Sequence, residues 1–446
     1  MTAISTNKKK KVILIPYPAQ GHVNPMIKLA SLLSNMGFDP IIITPEFIHR
    51  RVSRRINDGI LFMSVPDGLR EGAPRDFFAI EMAMERNMAS PLEELVREMG
   101  GGIGFFVVDL LASWAIDVGR RCGVAVAGFW PAMHATYRLL AAIPDLIHAG
   151  VISGDGIPKN ENAPICLSPN EPTLSTSDLP WLIGSSTSRN SRFKFWRRTL
   201  ARSETLPWIL TNTFPDEPQL KTSQQSTYFS SFNTSRVREI GPLIMQSSAM
   251  ASFWEEDTSC LRWLDEQDMG SVVYVSFGSW VSPIGEANIR SLALALESCQ
   301  RPFVWVLGPA WREGLPEGYA ERVATRGRIM SWAPQVEVLR HGAVGCYVTH
   351  CGWNSTMEAM QCKKPLLCYP IAGDQLLNCV YIVNVWRIGV KIQGFGREEI
   401  ENALSVVLDD EQMRRRIERL NDKLLGKEGI SKARAKLTAF IQDICT

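Results

Sequence analysis

Residues 11–25 read KVILIPYPAQGHVNP, and how this stretch divides decides the fold. The run Val12–Ile15 is aliphatic at every position rather than at alternate ones, which is how a strand covered on both faces of a parallel sheet reads. Pro16 and Pro18 close it. Asn24 then supplies an N-cap, Pro25 suits the first helical position because its missing N–H is not needed there, and Gly37 marks the helix end. Strand, connection and helix make the first part of a βαβ unit, with His22 in the connection beyond the carboxyl end of the strand.

The same rhythm runs outward from this unit. DPIIIT (39–44), ILFMSV (60–65), GFFVVD (104–109) and VAVAGF (124–129) are separated by amphipathic stretches, and SVVYVSFGS (271–279), PFVWVLG (302–308), GCYVTH (345–350) and PLLCYP (365–370) repeat the pattern. Each repetition predicts a parallel strand and its crossover helix, so the chain reads as α/β with two domains and a cleft between them. PLIMQSSAMASFWEEDTS (242–259) has linker composition. It sets an N-terminal domain over 1–243, a linker over 244–258, a C-terminal domain over 259–430 and a terminal helix over 431–446. Residues 151–189 are rich in Pro, Ser, Asn and Gly and predict a long functional loop.

Composition narrows the partner. A net charge of +2 over 446 residues offers no field for nucleic acid, and 45% hydrophobic with 21% charged residues describes a globular protein that binds a small molecule. The ten cysteines show no CxxC pair, which predicts separate buried thiols in a reducing compartment, the cytosol. No run has the length of a membrane span, so no stable membrane insertion is expected. KKKKVILIPYPA (8–19) is read as a solvated lead-in to a strand rather than a signal peptide.

Candidate chemistry gathers at the carboxyl edges of the strands, where parallel sheets bind ligands. His22 and Asp109 both lie there. A carboxylate behind an imidazole fixes its tautomer and makes it a general base, whereas Asp109 read alone caps the helix beginning near Leu110. In GCYVTHCGWNSTMEAM (345–360), a strand passes through a glycine turn into a helix that opens with Asn354 and Ser355. Such an end binds phosphate, with His350 beside it and Glu358 one turn on to accept from sugar hydroxyls; ordinary N-capping is the alternative for Asn354 and Ser355. His350, Cys351 and Cys346 lack a second ligand pair, so no metal is expected. There is no GxGxxG fingerprint, P-loop or DxD pattern.

Residues 332–375, WAPQVEVLRHGAVGCYVTHCGWNSTMEAMQCKKPLLCYPIAGDQ, closely resemble the signature box of the plant UDP-dependent glycosyltransferases of small molecules, glycosyltransferase family 1. QGHVNP (20–25) and VYVSFGS (273–279) match as well, so the resemblance spans nearly the whole chain. It implies a GT-B fold: two Rossmann-like domains facing across a cleft, the first for acceptor and the second for donor, with the terminal helix packing back on the first. It implies that Trp332 stacks on uracil, the Ala333 backbone pairs with the base, and Gln335 and Glu358 hold ribose. Ser279, His350, Asn354 and Ser355 would hold the diphosphate, and Trp353, Asp374 and Gln375 the sugar. His22 would be the base and Asp109 its partner.

The expected activity is inverting transfer of glucose from UDP-glucose to a hydroxyl of an apolar small molecule, without cofactor or metal, by a monomer. Another UDP-sugar, an N, S or carboxylate acceptor, or a catalytically silent UDP-sugar binder are the alternatives. FWPAMHATYRLL (129–140) and RFKFWRRTL (192–200) offer aromatics for the acceptor. Two departures stand out: Lys363-Lys364 where the family has Gly-Val, read as a solvent-facing turn, and Ala372 where an aromatic is common.

Overall fold

Two parallel sheets organise the chain in the computed structural model, which describes residues 9–52, 59–69, 76–167, 171–214, 234–243, 253–279 and 284–446. The first sheet comprises β1 (Lys11–Ile15), β2 (Asp39–Pro45), β3 (Leu61–Val65), β4 (Ile103–Asp109) and β5 (Ala125–Trp130), with two further strands at one edge. A short antiparallel hairpin intervenes, β6 (Pro164–Ile165) and β7 (Leu174–Ser175), before β8 (Ile209–Thr211) and β9 (Val237–Glu239) complete the sheet. Its spatial order is β3-β2-β1-β4-β5-β8-β9, every pair parallel.

The second sheet holds β10 (Val272–Ser276), β11 (Phe303–Val306), β12 (Gly327–Met330), β13 (Val344–Thr349), β14 (Leu366–Cys368) and β15 (Gly389–Lys391). Its order is β12-β11-β10-β13-β14-β15, again parallel. In each sheet the order reverses at one place, between β1 and β4 and between β10 and β13, and the crevice outside such a reversal is where doubly wound sheets bind ligands. His22 follows β1, and Asp109 is the last residue of β4. Ser279 and His350 follow β10 and β13.

Continuous apolar runs are buried on both faces, as their composition requires: Val12, Ile13, Leu14 and Ile15 are all fully buried. The C-terminal helix spans Lys427–Cys445, four residues longer at its start than expected, and packs on the first domain. Its Leu437, Phe440 and Ile444 enter the same cluster as Val12, Leu14, Phe105 and Val107, and Phe440 meets Phe105 edge-on at 5.6 Å. Burying each such side chain contributes about 1.5–3 kcal/mol, and Lys436 pairs with Glu239 at the rim of the contact. Of the expected linker, residues 244–252 lie outside the described residues. No described helix is long and apolar enough to cross a membrane.

The first helix differs from its expected bounds. It spans Gln20–Asn35, with Ala19 rather than Asn24 at its N-cap and Pro25 inside it. His22 is therefore held in the first helical turn and not in a loop. A proline lacks the N–H that would bond the carbonyl four residues back, here Gly21. That carbonyl instead accepts from Asn354 Nδ2 of the second domain at 2.8 Å. The interior proline is tolerated because the carbonyl it leaves over has a partner across the cleft.

Candidate active site

His22 Nδ1 and Asp109 Oδ2 are 2.8 Å apart, with Asp109 fully buried and the His22 side chain 22% exposed. An ionised carboxylate can only accept, so Nδ1 carries the proton and Nε2 presents its lone pair to the cleft. The other carboxylate oxygen, Oδ1, accepts from the Leu111 N–H at 2.9 Å. Asp109 thus does both jobs considered for it, one oxygen orienting the imidazole and the other capping the short helical turn Leu110–Ala112.

Aromatic rings lead away from His22 within the first domain. Tyr17 lies edge-on to His22 at 5.4 Å and 5.6 Å from Phe77, which meets Phe195 at 4.9 Å; Phe195 then contacts Trp196, and Trp196 contacts Trp130. Trp130, Phe195 and Trp196 come from the two stretches expected to offer aromatics. Tyr17 and Phe77 lie outside those stretches, and Tyr17 ties the chain of rings to His22.

Across the cleft, the helix Trp353–Gln361 starts immediately after His350-Cys351-Gly352. Burial pushes the His350 imidazole down to about 4, so it stands neutral at physiological pH and offers an N–H without bringing a charge. The ring lies in a glycine cradle. A Cβ on Gly278, whose φ is +80°, would come within 2.7 Å of His350 Nε2, and one on Gly352 would clash with the same atom. Ser279, at the end of this loop, is exposed.

Gln335 is tied into the protein at all four of its hydrogen-bonding positions. Its Oε1 accepts from Tyr274 and Tyr347 hydroxyls, each at 3.1 Å, while Nε2 donates to Ser355 Oγ at 3.1 Å and Glu358 Oε2 at 2.7 Å. Two lone pairs and two N–H groups are all used within the protein, so Gln335 holds Glu358 and Ser355 in place. Glu358 is buried, which pushes its carboxyl up, and Lys28 of the first domain acts against that shift. Lys28 also lines a small interdomain cavity with Asn354 and Glu358; no sequence signal distinguishes it from a surface lysine. Trp332 is half-buried and lies 5.9 Å from Trp254, which Arg51 caps by a cation–π contact at 4.8 Å, while Ala333 is buried beside it.

In the loop expected to hold the sugar, Asp374 Oδ2 accepts from Asn378 Nδ2 at 2.9 Å. Burial raises the Asp374 carboxyl, and the Asn378 amide and His22 oppose it, so Asp374 and His22 face the same part of the cleft. Gln375 Oε1 accepts from the Ile371 and Ala372 N–H groups at 3.0 and 2.9 Å. The carbonyl expected to read a sugar hydroxyl is therefore used to shape its own loop, and only the NH2 end remains. The Trp353 side chain is also engaged elsewhere: its indole N–H donates to Asn212 O at 2.8 Å and its ring stacks on Phe214 at 6.3 Å, joining the domains.

Two smaller expectations are corrected. Lys363 is exposed, but Lys364 folds inward and donates to the His341 and Val344 carbonyls at 3.1 and 2.7 Å, closing the strand start in place of a solvent-facing turn. The cysteines are free but not all separate. Cys351, Cys368 and Cys379 gather with their sulfurs within 4.8 Å of one another, whereas Cys122, Cys166, Cys299 and Cys362 are only half-buried and Cys445 is exposed. Among the described residues His350 and Cys346 join no such group.

Known proteins resemble this chain over nearly its whole length. Residues 249–424 match the family model described as UDP-glucoronosyl and UDP-glucosyl transferase. Over 445 residues the chain is 51% identical to UDP-glycosyltransferase 82A1 of Arabidopsis thaliana, covering 95% of this chain and 96% of that protein. Linamarin synthase 1 of Manihot esculenta is 30% identical over 453 residues, with 93% and 92% covered. The crystal structure of Os79 from O. sativa in complex with UDP superposes with a TM-score of 0.81 at 26% identity, covering 97% of this chain and 100% of that one. A sheet reversal carrying a His–Asp pair, a second carrying a neutral imidazole at a helix start, and similarity to such relatives over nearly the whole chain have one explanation: the chain belongs to the plant UDP-dependent glycosyltransferases, with the GT-B fold.

Proposed function

We propose that this glycosyltransferase moves glucose from UDP-glucose to a hydroxyl of an apolar small molecule with inversion at the anomeric carbon. The observation that carries this reading is the His22–Asp109 pair at 2.8 Å, opposed across the cleft by Asp374 and the start of the helix Trp353–Gln361. In this scheme Nε2 of His22 takes the acceptor proton as its oxygen attacks the anomeric carbon. The bond to the diphosphate breaks, and Asp109 stabilises the imidazolium. Negative charge growing on the diphosphate meets the N–H groups of the helix start, the Asn354 and Ser355 side chains, Ser279 and neutral His350. Trp332 takes the uracil face, the Ala333 backbone its edge, and Glu358 the ribose. The rings from Tyr17 to Trp130 suit an apolar acceptor. Both halves of the site come from one chain, so a monomer suffices, and ten free cysteines suit the cytosol.

The donor preference follows from what the sugar loop has left to offer. Asp374 accepts and the Gln375 NH2 donates, which matches an equatorial hydroxyl that must do the reverse of each, and the Trp353 backbone N–H adds a second donor. A site built to hydrogen-bond a hydroxyl rejects a sugar in which it is misplaced. We expect kcat/KM for UDP-glucose to exceed that for UDP-galactose, whose 4-hydroxyl is axial, by roughly 10–100-fold, from about 1.4–2.7 kcal/mol of unpaired polar groups; UDP-xylose and UDP-glucuronate keep the equatorial hydroxyls, and UDP-glucose is expected to exceed them only through contacts at C6. All four donors at equal concentration, with a panel of hydroxylated terpenoids and phenolics as acceptors, test this. Preference for another sugar that persists in Gln375→Ala would overturn it.

The leaving diphosphate is proposed to need no metal, because a helix start and a neutral imidazole supply its hydrogen bonds. Transfer should therefore stay within about twofold of its starting rate in excess EDTA, since the N–H donors that hold the leaving group remain in place. Complete loss restored by manganese or magnesium would show that the donor site is incomplete without a cation.

A further inference from the structure

Three cysteines far apart in sequence meet behind the donor site. Cys351 occupies the turn before the helix Trp353–Gln361 with φ +66°, Cys368 ends β14, and Cys379 lies in the helix Gln375–Val380. Their exposures are 0%, 0% and 1%, and their sulfurs lie within 4.8 Å of one another. Metal–thiolate bonds of about 2.3 Å place the sulfurs of a trigonal complex roughly 4.0 Å apart. The trio therefore needs to close by less than an ångström. We propose that Cys351, Cys368 and Cys379 form a trigonal thiolate site for a soft monovalent d10 cation, Cu(I), whose binding shuts the donor site.

Ligand type and burial select the ion. Thiolates alone favour soft cations. Among the described residues no imidazole or carboxylate joins the group, and its burial leaves no place for a solvent ligand. Zn(II) completes four ligands and so fits less well than a three-coordinate ion. Three S–H bonds are replaced by three S–Cu bonds, three protons leave to solvent, and no electron changes hands. The charge of Lys391 acts on both Cys368 and Cys379 and offsets part of the added negative charge.

The link to the donor site is direct and rests on the function proposed above. Fully buried Asn378, next to Cys379, donates both to the Cys351 carbonyl and to Asp374 Oδ2, each at 2.9 Å. Cys351 adjoins His350. Drawing the sulfurs together shifts the turn that carries His350 and, through Asn378, the carboxylate that faces the sugar. Misplacement on the scale of an ångström costs about a hundredfold in rate.

The test uses the reduced full chain without oxygen, titrated with Cu(I) buffered by a bidentate chelator. Bound copper after desalting, UDP affinity and glucosyl transfer are measured. The wild type should retain one equivalent and lose transfer about 10–100-fold, recovering on addition of a stronger chelator. Cys368→Ala and Cys379→Ala should keep basal transfer, lose that equivalent and stay active in Cu(I). Should a variant fail to fold, X-ray absorption of the loaded wild type reads the site directly. Three sulfur scatterers support it, and nitrogen or oxygen scatterers overturn it. Copper that survives in both variants but leaves with Cys445→Ser, or a loaded wild type with undiminished transfer, also overturns the proposal. UDP affinity of the metal-free protein tests the donor-site reading separately.

Discussion

His22→Ala is expected to lose transfer to an unactivated alcohol by about a hundred- to ten-thousandfold, while UDP affinity stays within about twofold of wild type. The separation follows from the architecture. His22 stands at the first sheet's edge, whereas the residues proposed to hold UDP stand on the second. An aliphatic alcohol is essentially un-ionised near neutral pH and a weak nucleophile in that form, so the reaction needs a group that accepts the proton as the bond forms. A phenol needs less help, and the loss on an acidic phenol should be correspondingly smaller. Steady-state rates on an aliphatic alcohol and on a phenol, with UDP binding by calorimetry, decide it. Unchanged kcat on the alcohol would remove His22 from the reaction, and a parallel loss of UDP binding would show that the substitution disturbed the cleft instead.

Asp109→Asn should be nearly as severe, about a hundred- to ten-thousandfold in kcat, without loss of the fold. The two oxygens of Asp109 have separate partners, and the substitution treats them differently. An asparagine carbonyl can still accept from the Leu111 N–H, so the cap survives. Its NH2 then faces His22 Nδ1, which must accept instead of donate, moving the ring proton to Nε2. The base would offer the acceptor an N–H where a lone pair is required. Asp109→Ala removes both contacts and should add a loss of about 1 kcal/mol or more from the uncapped turn. Kinetics with thermal melts separate these effects. If Asp109→Asn melts as far below wild type as Asp109→Ala does, the carboxylate is structural; if it melts with wild type and transfers as fast, the imidazole needs no orienting partner.

Much of this arrangement was legible in the chain because it depends on neighbours in sequence. Unalternating runs such as Val12–Ile15 and Phe105–Val108 gave parallel strands, and the carboxyl ends of those runs gave the sheet edges on which His22, Asp109 and His350 stand. The reading failed where a local signal had a distant competitor. Asn24-Pro25 looks like a helix start, yet the helix begins at Gln20, because the Gly21 carbonyl that Pro25 cannot satisfy is satisfied by Asn354, 333 residues away. Lys363-Lys364 looks solvated, yet the Lys364 ammonium finds two carbonyls at the start of β13.

What the sequence by itself determined is the fold class, the two-domain division and the edges where chemistry can occur, since these follow from apolar periodicity and turn residues within a few positions. Only the tertiary structure decided which polar atoms remain free for a ligand. Gln335 has none left, Gln375 keeps one end, the Trp353 indole is committed to Asn212, and Asp109 divides its oxygens between a helix cap and the base. A hydrogen-bonding group has a fixed number of donors and acceptors, and a buried one fills them with whatever the fold brings near. The three cysteines show the same division: residue type is written at each position, but that Cys351, Cys368 and Cys379 share one point is settled by a strand, a turn and a helix that meet only when the second sheet is assembled.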